Sequence, residues 1–137
     1  MALEKTYGEA DTTFQAAGGQ AGIRKLVDTF FDIMGSNPAY QKIYHWHPDD
    51  IGVSRDKLAL FLCGWMGGPR LFPEKYGPIA IPVVHRHLDV TEVERDMWLE
   101  CMKEALAQQD YPKSLQHYLI EQLYVPAERV RQVCMGK

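Results

Sequence analysis

At 137 residues and a formal charge of −3, the chain has room for one domain with a real core but not for two. Apolar residues make up 46% and charged residues 24%, the balance of a soluble globular protein, and no apolar run approaches the ~18–20 residues that a membrane span needs. The acidic opening MALEKTYGEADTT excludes a secretory signal and the charge leaves no basic footprint, so a cytoplasmic protein without nucleic-acid or membrane partners is expected.

ADTTFQAAGG reads as a short first helix, capped by Asp11 or Thr12 and stopped by Gly18-Gly19. From Ala21 the apolar residues Ile23, Leu26, Val27, Phe30, Phe31 and Met34 recur at steps of three and four, which predicts one wide apolar face on a helix ending near Gly35. SNPAYQKIYHWHPDD is broken by Pro38 and Pro48 and holds one helical turn with Tyr40, Ile43 and Tyr44. A further helix opens at Ser54 or a neighbour, carries Leu58, Phe61, Leu62 and Trp65, and stops at Gly67-Gly68-Pro69. RLFPEKYGPIAIPVVH is then a long connection with three prolines, a length that loops of this kind usually owe to function.

After His87, Asp89 with Glu92 or Thr91 with Glu94 supplies a capping-box pattern. Val93, Met97, Trp98, Cys101, Met102, Ala105 and Leu106 mark one face of the helix that follows. A last helical stretch begins near Lys113, and Pro126 is expected to interrupt it. IAIPVV is locally strand-like, but a lone strand has no partner for its backbone groups and Pro82 removes a donor. The fold class is therefore all-α, one domain over residues 1–137 with about four main helices. Cys63, Cys101 and Cys134 form no C-x-x-C pair and are odd in number, which argues against a disulfide framework; Cys63 and Cys101, among apolar residues on helical patterns, read as small buried hydrophobes.

The H-x-H pair of His85 and His87 invites a metal. On a strand both rings would share one side and could chelate zinc; on a helix they lie about 200° apart and cannot. Helical surroundings split the pair, and zinc lacks further ligands at suitable spacing. His45 and His47 form a second pair, so a four-histidine site stays open as an alternative.

LFLCGWMGGPRLFPEKYG followed by HRHLDVTEVERDMWLECMKEAL resembles the truncated haemoglobins, specifically their second group. That family pairs a helix ending in G-G-P with an R-H dipeptide and an E-R-D-x-W-L motif. Here these are Gly67-Gly68-Pro69, Arg86-His87 and Glu94-Arg95-Asp96-Met97-Trp98-Leu99, and Gly18-Gly19 ahead of the Phe30 helix also fits. The resemblance spans almost the whole chain. It implies a shortened globin fold, a two-over-two α-helical sandwich, and a haem b (iron protoporphyrin IX) cofactor.

His87 is then the implied iron ligand, as a neutral imidazole whose other N–H is held by an acceptor. The Trp98 indole N–H becomes a donor to the bound ligand; such a bond is worth about 1–2 kcal/mol, or about tenfold in dissociation. Phe31 departs from the tyrosine common in the family, so one hydroxyl is missing, with Tyr44 and His47 as the candidates to replace it. Leu58 and Phe61 match pocket-lining positions and Ser54 a gate position, while Lys57, Arg86 and Tyr76 match partners for the haem propionates. The implied ligands are dioxygen and other diatomics such as nitric oxide or carbon monoxide. Detoxification of nitric oxide or peroxide is an alternative that needs a separate reductase, and a haem-based sensor is a third.

Overall fold

The computed structural model describes residues 7–46, 51–77 and 90–135. Seven α-helices are described: α1 (Thr12–Ala16), α2 (Gly19–Ser36), α3 (Gln41–Tyr44), α4 (Ile51–Trp65), α5 (Leu71–Tyr76), α6 (Glu92–Ala107) and α7 (Lys113–Met135). A 3-10 turn at Pro38–Tyr40 leads into α3, and no strand occurs among the described residues.

The apolar face read on α2 is the centre of the core. Ile23, Leu26, Val27, Phe30, Phe31 and Met34 are all buried. α4 packs on one side of this helix through Ala59, Leu62 and Cys63, and α6 on another through Cys101, Met102, Ala105 and Leu106. α7 closes on α6 with Leu115, Leu119 and Leu123. The long helices thus form two pairs, α2 with α4 and α6 with α7, joined where α2 meets α6; this is the expected two-layer arrangement. Cys63, Cys101 and Cys134 are buried and form no disulfide, and Cys63 and Cys101 pack in the core as small hydrophobes would.

Local signals behave as their chemistry requires. The hydroxyl of Thr91 accepts from the Val93 N–H at 3.2 Å, and Glu94 reaches back to the Thr91 N–H at 2.8 Å, completing the capping box that starts α6. The G-G-P stop of α4 has a packing reason. Gly67 sits at φ +92°, and a Cβ there would lie 1.9 Å from the Ala10 carbonyl oxygen; one on Gly68 would lie 2.4 Å from the Phe14 ring. Two bare glycines therefore let the segment around α1 seat directly on the end of α4.

Three boundaries differ from the sequence reading. α4 starts at Ile51, a turn before Ser54. The proline-rich connection contains α5, with Pro73 in its first turn, where its missing N–H costs nothing. α7 runs through Pro126 without ending. The carbonyl left without a donor belongs to Gln122, an exposed residue whose backbone water can serve. Val93, expected on the buried face of α6, is 60% exposed because it lies in the first turn, beyond the reach of α2.

Candidate functional site

α4 is apolar over more of its surface than its packing on α2 uses. Beside the buried row of Ala59, Leu62 and Cys63 runs a second row, Ser54, Leu58, Phe61 and Trp65, at helical spacing, and all four are only half-buried. α4 and α6 both lean on α2, and neither packs substantially on the other among the described residues. A cleft of about 270 Å³ lies along the end of this row, lined by Phe61, Trp65, Arg70 and Phe72 among others.

Trp98 on α6 is half-buried and packs edge-on against Phe30, ring centroids 5.2 Å apart. Phe30 in turn meets Phe31 edge-on at 5.2 Å. Among the described residues the Trp98 indole N–H donates to no group. Phe31 is buried, with the Arg55 guanidinium 5.8 Å from its ring centroid. Arg55 is itself fixed by α2, donating to Asp28 at 3.1 Å and to Asp32 at 2.6 Å. Ser54 sits one residue before this clamp. Tyr44 is half-buried, and its ring lies over Gly35, one turn beyond Phe31 on α2.

At the far edge, Tyr76 donates to Asp56 at 2.5 Å and Lys75 pairs with the same carboxylate at 2.7 Å. Those two donors hold the Asp56 carboxyl below its ordinary range. Lys57 is exposed, with its ammonium 5.2 Å from the Tyr76 ring centroid and no carboxylate partner among the described residues. The hydroxyl of Tyr76 is thus already engaged, while the Lys57 charge is available to an anion.

Of the residues singled out in the sequence, Leu58, Phe61 and Ser54 share one face of α4, Trp98 and Phe31 meet through Phe30, and Lys57 and Tyr76 touch. His47, His85, Arg86, His87 and the IAIPVV segment lie outside the described residues, so of the four-histidine alternative only the exposed His45 is placed. Among the described residues no group of three or more His, Cys, Asp or Glu could hold a metal ion. Trp65 and Phe72 line the cleft although neither is among the site residues expected from the sequence. Trp65 continues the Leu58–Phe61 spacing, which is a signal; Phe72 has none, because the prolines around it suggest a loop.

A family model described as bacterial-like globin matches residues 12–131. The chain belongs to that family. It is 29% identical over 112 residues to the group 2 truncated hemoglobin YjbI of Bacillus subtilis (strain 168), covering 82% of this chain and 83% of that protein. Among solved structures, the group II 2-on-2 hemoglobin of Agrobacterium tumefaciens superposes with a TM-score of 0.82 at 26% identity, covering 96% of this chain and 98% of that one. The cold-adapted truncated hemoglobin of Pseudoalteromonas haloplanktis TAC125 gives 0.81 at 28% identity, over 86% of this chain and 95% of that one. The likeness to group II truncated haemoglobins read from the G-G-P, R-H and E-R-D-x-W motifs is borne out, as is the two-over-two globin fold.

Membership of the globins implies a haem cofactor and a small gaseous ligand such as dioxygen. The described residues fit such a group. The half-buried row on α4 offers apolar surface to a flat macrocycle, and a cleft lies along its end. Lys57, exposed beside the Tyr76 ring, is a cation that an ionised propionate could pair with. No helix among the described residues is long and apolar enough to cross a membrane.

Proposed function

We propose that this chain reversibly binds dioxygen, and other diatomic ligands such as nitric oxide and carbon monoxide, at a haem b held by His87. The observation that carries this reading is the half-buried row Leu58, Phe61 and Trp65, large apolar side chains that pack against the core yet keep part of their surface exposed. The haem supplies an iron centre that binds the diatomic ligand. The protein's part is to shelter and polarise that ligand. Leu58 and Phe61 exclude water, Phe31 supplies bulk without a donor, and Trp98 offers its indole N–H. A fixed donor in a dry pocket retains a ligand that carries partial negative charge. Tyr44 is the candidate to supply the hydroxyl that Phe31 lacks, with His47 as the other candidate for that role. Ser54 is small enough to leave the access path open. Lys57 and Arg86 pair with the propionates.

Absorbance spectroscopy on the purified protein with added haem tests the reading. A Soret band that His87→Ala weakens is expected. A chain that gives no such band, or one indifferent to His87→Ala, refutes it.

A further inference from the structure

The segment from Pro38 to Tyr44 is short, yet nearly every polar side chain on it is tied to one of the long helices. The Tyr40 hydroxyl donates to Glu104 near the end of α6. Lys42 donates to Glu94 at the start of α6, Nζ to Oε2 2.8 Å. Gln41 turns the other way and donates its amide N–H to carbonyls at the end of α2, Gly35 at 3.0 Å and Met34 at 3.3 Å, and to that of Asn37 just beyond it at 3.3 Å. Between them Ile43 is buried in the core, 1% exposed. The segment is a strap whose residues alternate between α2 and α6.

Its last residue is Tyr44. Gly35 makes the bed for this ring: a Cβ there would sit 3.0 Å from Tyr44 Cε1 and 3.1 Å from Cζ. The absence of a side chain at 35 thus determines how closely the ring approaches α2. The two α6 carboxylates are ten residues apart, about 15 Å along the helix. Tyr40 and Lys42 splay to reach them, so the strap is held at two separated points and cannot pivot about either. Glu94 is itself 3% exposed and locked by Thr91, so the anchor does not move when the strap is pulled.

We propose that Glu94 and Glu104 are positioning residues for the ligand site: through Lys42 and Tyr40 they hold the strap so that Tyr44 stays seated on Gly35 beside the bound ligand. The proposal rests on the reading that Tyr44 serves the diatomic ligand. The same helix then carries one ligand donor, Trp98, and sets the place of the other. Lys42 is exposed and touches neither haem nor ligand in this scheme, so it gives a clean handle.

Lys42→Met keeps the aliphatic stem and deletes the charge. Amide hydrogen exchange over residues 40–46 is measured with and without haem. Dioxygen dissociation and the C–O stretching band of the carbon-monoxide form are measured in wild type, Lys42→Met, Lys42→Arg, Tyr44→Phe and Lys42→Met/Tyr44→Phe. Lys42→Met is expected to raise exchange in the strap, broaden or shift the C–O band, and speed dissociation about two- to fivefold. Lys42→Arg restores all three, and in the Tyr44→Phe background Lys42→Met no longer changes dissociation. An equal effect of Lys42→Met with and without the Tyr44 hydroxyl overturns the proposal, as does loosened exchange with unchanged dissociation and C–O band. Failure to take up haem is a different outcome: it sinks the functional reading and Tyr44's role with it, while the exchange measurement still reports on the strap.

Discussion

Replacing Glu94 by glutamine removes a buried negative charge while keeping nearly the same shape, and its cost should depend on pH in a defined way. Burial alone would raise this carboxyl, but the Lys42 ammonium and the hydroxyl and N–H of Thr91 outweigh it and hold the group at about 2, against an ordinary value of 4.5. A depressed acid contributes stability above its unfolded value and loses it as pH falls toward the folded one. The depression from 4.5 to about 2 corresponds to about 3 kcal/mol at pH 7 and to less than about half of that at pH 3. Lys42 is 56% exposed, so solvent screening brings the value at neutrality down to about 2 kcal/mol. Urea unfolding followed by circular dichroism, in wild type and Glu94→Gln between pH 3 and 7, measures the gap directly. It should be largest above pH 5 and at least halve by pH 3. A gap that stays constant across that range, or is below about 0.5 kcal/mol at pH 7, would show that the buried ion pair is not what holds Glu94 in place.

Trp98→Phe keeps the aromatic packing on Phe30 but deletes the N–H, and should raise the dioxygen dissociation rate about tenfold in stopped flow; a change under twofold would transfer the role to Tyr44 or His47. Gly67→Ala should destabilise by about 2–4 kcal/mol in chemical denaturation, since it adds a left-handed φ penalty to a 1.9 Å clash with the Ala10 carbonyl. A near-neutral result would mean that the α1 segment does not seat on α4 as described. Lys57→Ala should speed haem transfer to an acceptor globin by about threefold at low salt and by less at high salt, as expected for an exposed charge pairing with a propionate.

Much of the fold was legible because helices announce themselves through spacing. The α2 face from Ile23 to Met34, the Thr91–Glu94 cap and the Gly67-Gly68 stop all depend on residues close in the chain, whose physics is local. The misses were also local. α5 was hidden because prolines suggest loops, yet proline in a first turn is compatible with a helix, and α7 tolerates Pro126 where water can serve the orphaned carbonyl. At the site, the spacing of Leu58, Phe61 and Trp65 was visible, but not that the row stays half-exposed. Exposure depends on where α6 lands relative to α4.

The sequence by itself determined the apolar faces of the long helices and the motifs that place the chain among the group II truncated haemoglobins. It also determined that Phe31 supplies no hydroxyl. Only the tertiary structure decided what the E-R-D motif does beside Trp98. Glu94 ties α6 to the strap through Lys42, and Arg95 ties it to α7 through Glu128 at 2.9 Å and the Tyr124 ring. These partners are 52 and 33 residues away along the chain. No periodicity encodes such pairings, because a charge finds its partner only after helix packing has brought the two together. For the same reason Gly35 reads in the sequence as a helix end, and only the packed chain shows it as the seat of the Tyr44 ring.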